Sequence, residues 1–415
     1  MSTETVKGFS DYAGEEAEKR ERIKEILTKN FRLYGFEPAE TPIIEYEDFV
    51  KGENQQDEAV SDIFRLQDKG KRNLALRYEL TFQLKRLAKN RKLPYKRYQT
   101  GEVFRDEPVS SSRFRQFTQC DVDVIGSNAK DEAEILALTS RICKELGIGI
   151  MIDINNRKLM NEILEEQGIN EKDRNNVIKE IDKIDKLSEA EIKENLRKYK
   201  AESILAVFKK PKLYFKRYKA YSEILELERY CKIYSIKINF QPSLARGLSY
   251  YNGSVFEVKT AGMKETIAGG GSYLVNGIQS TGISFGIERL SQLARIKLEN
   301  KEILVISINQ DKKAIQLAEK LRKQGKAVTI LDRINKALEY ANSYKIPYVI
   351  FIGEEEVKRK KFKLRDMKIG KEKMLSEGEL IKDISKEGEN MFGFLKDKGL
   401  TKKMIKEVRE HHNRF

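Results

Sequence analysis

Five side chains of useful chemistry crowd the stretch Gly101 to Gln119, where GEVFRDE runs through a polar loop, PVSSS, into RFRQFTQ: Arg105, Glu107, Arg113, Arg115 and Phe117. Two strands joined by a short loop would line them along one hairpin. A guanidinium grips phosphate oxygens with paired donors, a carboxylate accepts from an exocyclic amine, and an aromatic ring stacks on a base. Those are the requirements of a nucleotide site, although the same spacing suits a hairpin with a charged solvent face. A second cluster, LARGLSYYNGSVFE from Leu244 to Glu257, sets Arg246 close to the phenols of Tyr250 and Tyr251. It combines a cation with groups that can hydrogen-bond a polar ligand, and reads equally as a strand entry with aromatic packing. The third is AGGG at Ala268 to Gly271, read as a Gly-rich loop, followed by STGISFGIERL with Arg289. Small residues there let a ligand approach the backbone. No GxxxxGK[ST] or GxGxxG occurs at these positions, so neither a P-loop nor a Rossmann fingerprint is present.

Scarce residues narrow the chemistry further. The only histidines are His411 and His412, at the extreme C-terminus, and tryptophan is absent. Histidine acid–base catalysis and histidine-assisted nucleophiles are therefore excluded from the body of the chain. Cys120, Cys143 and Cys231 are too far apart for a CxxC pair, which removes a zinc ribbon or disulfide framework and leaves buried or unreactive thiols. No apolar run is long enough for a membrane span, the N-terminus lacks a signal-peptide core, and a cytoplasmic location is expected. The chemistry must run on Arg, Glu, Asp, Tyr, Gln and backbone groups.

The 80 basic against 65 acidic residues leave a net charge of +15. Such a surplus favours polyanionic partners, nucleic acid ahead of an anionic membrane. The length of 415 residues predicts two or three domains. Positioning the clusters requires an amphipathic helix over Glu15 to Tyr34 with Gly35 at its end, and strands from LALRYEL, YKRYQTGEVF and FRQFTQCDVDVIG. A helix over Thr81 to Lys89 and an amphipathic one carrying Ile135, Leu138, Ile142 and Leu146 complete this part. From Arg157 to Lys232 the chain turns into short helical pieces dense in Lys and Glu, an insertion. Strand character returns at SIKINF, SVFEVK and STGISFGI, and a helix over Ile287 to Leu298 leads to a linker. The remainder alternates strand and helix, a small α/β unit. Its run VKRKKFKLRDMKIGK, basic with Phe362 interleaved, suits either a solvated face or contact with a nucleic-acid backbone.

Taken in order, these segments resemble class II aminoacyl-tRNA synthetases, specifically the histidyl-tRNA synthetase family. GFEPAETPIIE, with Pro42, is similar to the class motif 1, FRDE…RFRQF to motif 2 and GISFGIERL to motif 3. LARGLSYYNGSVFEV and AGGGSY resemble the two histidine-specific motifs, while LRYELT and QCDVDVIG resemble the archaeal and eukaryotic variant. The likeness runs from about Lys7 to Met374. It implies a class II antiparallel sheet flanked by helices (1–156 and 233–299), a helical insertion (157–232), an α/β anticodon-binding domain (300–375) and an extension (376–415) to which no role is attached.

The resemblance also implies roles. ATP would be held by Arg105 and Arg113 at its phosphates, by Glu107 at the adenine amine, and by Phe117 and Arg289 on the two faces of adenine. Arg246 would face Arg105 across the α-phosphate, both acting catalytically. Histidine would be held by Glu79, Thr81 and Gln119 at the α-amino group and by Asp123 and Tyr251 at the imidazole, with Arg246 and Tyr250 also lining its site. An imidazole offers one donor and one acceptor, so a site built to pair both rejects apolar analogues. The implied enzyme is a homodimeric ligase that charges tRNA(His) with L-histidine, using ATP with Mg2+ carried on its phosphates and no protein ligand assigned. The motif 2 loop, Pro108 to Ser112, would meet the acceptor end of the tRNA.

Three residues depart from the family pattern: Ser249 where Asp is usual, and Ser272 and Leu274 where AGGG is commonly followed by Arg-Tyr-Asp. They bear on the rim of the amino-acid pocket. Either an arginine and its carboxylate partners were lost together, or the chain is a paralogue that has lost activity. Two competitors accompany the main reading: a non-catalytic paralogue acting as a regulatory subunit, and a class II synthetase of another specificity.

Overall fold

Alternation along single strands explains how the interior is divided. In the computed structural model, which describes residues 3–52, 58–110, 113–185, 187–246, 250–261, 263–298 and 300–386, the segment QFTQCDVDVI forms a strand, Gln116–Ile125. Successive side chains of a strand point to opposite faces. Thr118, Cys120, Val122 and Val124 thus meet the helices behind the sheet, while Phe117, Gln119, Asp121 and Asp123 share the other face. Ser249, Ser111, Ser112, His411 and His412, together with the extension beyond residue 386, lie outside the described residues.

The strands of the main sheet are Glu37–Pro38 (β1), Tyr95–Phe104 (β2), Gln116–Ile125 (β3), Met151–Asn156 (β4), Asn239–Phe240 (β5), Tyr251–Thr260 (β6), Met263–Val275 (β7) and Ile278–Gly286 (β8). Their spatial order is β1-β2-β3-β8-β7-β6-β4-β5. The pairs β1/β2 and β4/β5, at the two edges, are parallel and the rest antiparallel. A separate three-stranded sheet joins Ile44–Tyr46, Arg65–Gln67 and Asn73–Leu76.

Helix α1, Gly14–Leu33, buries Ile23, Ile26, Leu27 and Phe31 at helical spacing, and α2, Ala129–Glu145, buries Ile135, Leu138 and Ile142. Each such side chain contributes about 1.5–3 kcal/mol when removed from water. A capping box of Asn128 and Asp131 starts α2 by satisfying backbone donors that the helix leaves free. The helical segment 157–232 packs into this same core through Ile163, Leu196, Ile204 and Ile224, on the apolar side of the sheet.

Local expectations were met at β2, β3 and β8 and missed at several ends, LALRYEL pairing only over Asn73–Leu76, short of Glu79. The helix expected over Thr81 to Lys89 shortens to Leu84–Leu87, because residues 81–83 form a tight turn in which Leu84 N bonds Thr81 O. SIKINF pairs only at Asn239–Phe240, and the helix from Ile287 stops at Leu293. AGGG is not a loop. It lies in the middle of β7, where missing side chains leave room for neighbours that would otherwise collide.

The chain divides into two compact units, Met1–Lys297 and Leu298–Phe415. The second has strands Ile303–Ser307 (β9), Val328–Leu331 (β10), Tyr348–Ile352 (β11), Lys361–Asp366 (β12) and Glu372–Ser376 (β13), ordered β10-β9-β11-β12-β13. Phe362, interleaved in the basic run, is a core residue of this unit. Leu380 and Ile384, on the helix Glu377–Lys386, pack into the same core.

Candidate active site

Cross-strand pairing assembles a polar layer on one face of the main sheet. Arg97, Gln99 and Gly101 of β2 lie opposite Asp123, Asp121 and Gln119 of β3, and Gly282 and Ser284 of β8 lie on the other side of Asp123 and Asp121. Gly271 and Gly269 of β7 continue the layer. Apolar surface covers the opposite face, so the two faces of one sheet hold two different environments.

Two adjoining compartments open on this layer. The outer cleft is lined by Arg105, Glu107, Arg113, Phe117, Glu288 and Arg289. The inner one is lined by Glu79, Thr81, Asp121, Asp123, Tyr250, Tyr251 and Tyr273. Arg105, Gln119, Arg246, Gly269 and Ser284 border both. Every residue expected at the nucleotide lines the outer cleft and every residue expected at the amino acid lines the inner one. Both arginines expected to act on the α-phosphate stand at the junction.

Glycines make this geometry possible at two positions. A Cβ on Gly282 would stand 2.1 Å from an oxygen of Asp123, and one on Gly269 would stand 2.6 Å from Nη1 of Arg246. Any side chain there would displace a charged group of the site.

Arg246 is held through Nη1 by Glu257 at 2.7 Å, and its buried Nε has no hydrogen-bond partner. Burial opposes its charge, but Tyr251 and Glu257 outweigh burial and keep its pKa above the ordinary arginine value. Arg105 donates from Nε to the Tyr78 carbonyl at 3.1 Å and stands over the Phe117 ring at 5.2 Å. Arg289, which lines the same cleft, donates to the Thr266 carbonyl at 2.6 Å. Arg113 reaches Glu107 at 3.4 Å. Behind Phe117, Glu288 accepts from the Thr118 backbone and from Arg20 at 2.8 Å, tying α1 to the strand that carries the ring.

The inner compartment is rich in buried carboxyl groups. Burial raises the Glu79 pKa from its ordinary value to about 8, with Arg105 pulling the other way. Asp121 is pushed up to about 7 by burial and by the charge of Asp123, with Arg97 opposing. Asp123 is also raised by burial, with Arg97 and Tyr273 favouring its ionised form. A cationic ligand nitrogen would restore ionisation to this group of acids. A carboxyl whose folded pKa is raised binds its proton more tightly in the folded chain, so stability falls as pH rises between the unfolded and folded values. Glu79→Gln is therefore expected to match the wild-type melting temperature below the ordinary glutamate value and to exceed it increasingly as pH climbs towards about 8. A difference that stays constant with pH would refute the assignment.

Two residues that line the compartment, Asp121 and Tyr273, and one buried behind it, Arg97, carry no assignment from the sequence. Asp121 was visible in principle, since strand alternation puts it between Gln119 and Asp123. Tyr273 donates to Oδ1 of Asp123, and Arg97, fully buried, pairs with Oδ2 at 2.8 Å. Neither partnership has a signal in spacing, because both join separate strands.

Ser272 is not on the pocket rim. Alternation turns it to the opposite face, where it is buried and donates to Glu132 of α2. Glu132 is buried too, and burial raises its pKa against the hydroxyls of Ser272 and Ser254. A buried carboxyl thus stands beside position 272, held by hydroxyls and not by an arginine. Leu274 is half-exposed at 50%. Cys120, Cys143 and Cys231 are all buried free thiols whose pKa burial raises to about 12. Among the described residues no group of three or more His, Cys, Asp or Glu side chains could hold a metal ion, and no helix is long and apolar enough to cross a membrane.

Residues 8–290 match the family model described as histidyl-tRNA synthetase, and residues 302–387 match that of an anticodon binding domain. The chain is 34% identical over 414 residues to histidine–tRNA ligase 1 of Bacillus cereus, spanning 90% of this chain and 95% of the relative. It is 32% identical over 432 residues to histidine–tRNA ligase of Wolinella succinogenes, spanning 90% and 96%. Among solved structures, histidyl-tRNA synthetase from Nostoc sp. PCC 7120 superposes with a TM-score of 0.80 at 23% identity, over 93% of this chain and all of that one. A protein from Bacillus halodurans described as an ATP phosphoribosyltransferase regulatory subunit/histidyl-tRNA synthetase superposes at 0.67 and 22% identity, over 80% and 93%.

Proposed function

The chain belongs to the histidyl-tRNA synthetase family, and from that premise we propose how its residues divide the work of joining L-histidine to tRNA(His) through a histidyl-adenylate. It is an ATP-dependent aminoacyl-tRNA ligase with the class II fold. The observation that carries the division of labour is the pair of compartments meeting at Arg105 and Arg246. ATP occupies the outer cleft with its α-phosphate at that junction, and histidine occupies the inner one with its carboxylate facing the same point.

Proximity does much of the work, since both reactants are held for in-line attack of the carboxylate on the α-phosphorus as pyrophosphate leaves. Arg105 and Arg246 stabilise the charge that gathers on the phosphoryl oxygens. Adenine stacks on Phe117 with Glu107 at its amine and Arg289 on its other face. Arg105 then leaves its position over that ring, and Arg113 exchanges Glu107 for the outer phosphates. Glu79, Thr81 and Gln119 take the ammonium group, and Asp123, Tyr251 and Tyr250 enclose the imidazole. ATP would carry Mg2+ on its phosphates, which would supply charge neutralisation there, with no protein ligand assigned.

We assign 1–156 with 233–299 to catalysis, 157–232 to the insertion and 300–375 to anticodon recognition, its basic run facing the tRNA backbone; the extension 376–415 receives no role. The archaeal and eukaryotic character rests on LRYELT and QCDVDVIG alone, and the relatives named above are bacterial. A homodimer is supported by the motif 1 resemblance and by exposed Ile44, Tyr46 and Leu66 on the three-stranded sheet; light scattering at the mass of one chain would refute it. Three free, buried cysteines support a cytoplasmic location, testable by fractionation. The decisive experiment is histidine-dependent ATP–pyrophosphate exchange. Exchange with histidine alone supports the reading, exchange with proline or threonine instead removes the specificity, and none with any amino acid favours a regulatory paralogue.

A further inference from the structure

One fully buried guanidinium bonds to both halves of the inner compartment. Arg97 on β2 is 0% exposed. Its Nη2 donates to the carbonyl of Leu80 at 2.6 Å and lies 2.8 Å from Oδ2 of Asp123. Leu80 stands between Glu79 and Thr81, the pair assigned to the substrate ammonium, whereas Asp123 is assigned to the imidazole. These two groups sit on different elements, the turn before Leu84–Leu87 and strand β3, and Arg97 is bonded to both.

We propose that Arg97 is a positioning residue for histidine selection, setting the distance between the ammonium subsite and the imidazole subsite while holding Asp123 as a hydrogen-bond acceptor. The inference rests on the functional reading above and deepens it. Asp123 receives Tyr273 on Oδ1, whereas Oδ2, beside Arg97 but without a hydrogen bond of its own, keeps its capacity to accept from a ligand. A side chain held from two directions keeps its rotamer, and a site loses selectivity when its supporting contacts loosen. Both contacts use one nitrogen, Nη2, while Nε and Nη1 have no hydrogen-bond partner, so lysine, a point charge, recovers part of the arrangement and uncharged glutamine less. The residues that Arg97 supports, Glu79, Thr81 and Asp123, line the inner compartment, and none of them lines the nucleotide cleft.

The test measures exchange kinetics of Arg97→Lys and Arg97→Gln with each substrate varied in turn. KM does not depend on what fraction of a preparation is folded, so a destabilised variant still reports. The KM for histidine is expected to rise about 10- to 100-fold, more for Gln than for Lys, with the KM for ATP nearly unchanged. An unchanged histidine KM, or equal rises for both substrates, would overturn the proposal. Absence of histidine-dependent exchange in the wild-type chain would instead overturn the functional reading, and the proposal with it; wild-type exchange leaves the variants to judge Arg97 alone.

Discussion

Arg246→Ala should slow histidine-dependent ATP–pyrophosphate exchange by about 10²- to 10³-fold while leaving ATP affinity nearly intact. Arg246 borders both compartments and lies against Gly269, where even one added carbon would stand 2.6 Å from it. Its Nε is buried and unpartnered, whereas Nη1 is fixed by Glu257. That combination describes a preorganised cation with donor capacity in reserve, which is what developing charge on a phosphoryl group requires. Interactions made mainly in the transition state alter turnover more than substrate binding. Deleting the side chain leaves Glu257 with Lys259 at 3.8 Å, so its carboxylate keeps a nearby cation and the fold should tolerate the change. An exchange rate within experimental error of wild type would remove Arg246 from the mechanism.

Asp123→Asn should be costly in a different way. Removing one charge from a buried ion pair strands the other, at about 3–5 kcal/mol. Arg97, with no exposed surface, would retain the Leu80 carbonyl and lose its only counter-charge at contact distance among the described residues. The Asn amide oxygen can still accept from Tyr273, so the loss is electrostatic more than steric. The catalytic unit is therefore expected to unfold at clearly lower denaturant concentration, and the histidine KM to rise sharply. Unfolding should be followed with a probe in residues 1–297, since a chain of two units need not melt in one step. An unaltered midpoint together with an unaltered histidine KM would contradict the assigned pairing.

These two effects mark the difference between residues that could be read and those that could not. Arg246 belongs to a local string, RGLSYY, whose types suggested a site before any fold was known. Asp123 was likewise visible, on a strand whose alternation is plain in QCDVDV. Arg97 was passed over in YKRYQTGEVF, because a cation in a strand ordinarily points to water. Only pairing with β3 buries it opposite Asp123. Ser272 was misplaced for a related reason: reading AGGG as a loop removed the alternation that sends Ser272 to one face and Tyr273 to the other.

By itself the sequence determined the chemical repertoire of this protein and the strands that carry it. Composition excluded histidine catalysis from the body of the chain and a CxxC zinc ribbon or disulfide framework, and period-two alternation marked one face of β3 as polar. These properties are local, resting on residue types and on spacing within a single strand. The tertiary structure decided which charges would be compensated. Whether a buried acid is ionised, whether an arginine is a surface cation or a clamp, and whether a glycine is a turn or a space for a neighbour all depend on groups brought together from distant parts of the chain. Desolvation and Coulomb attraction act through space, and strand register settles which groups share that space.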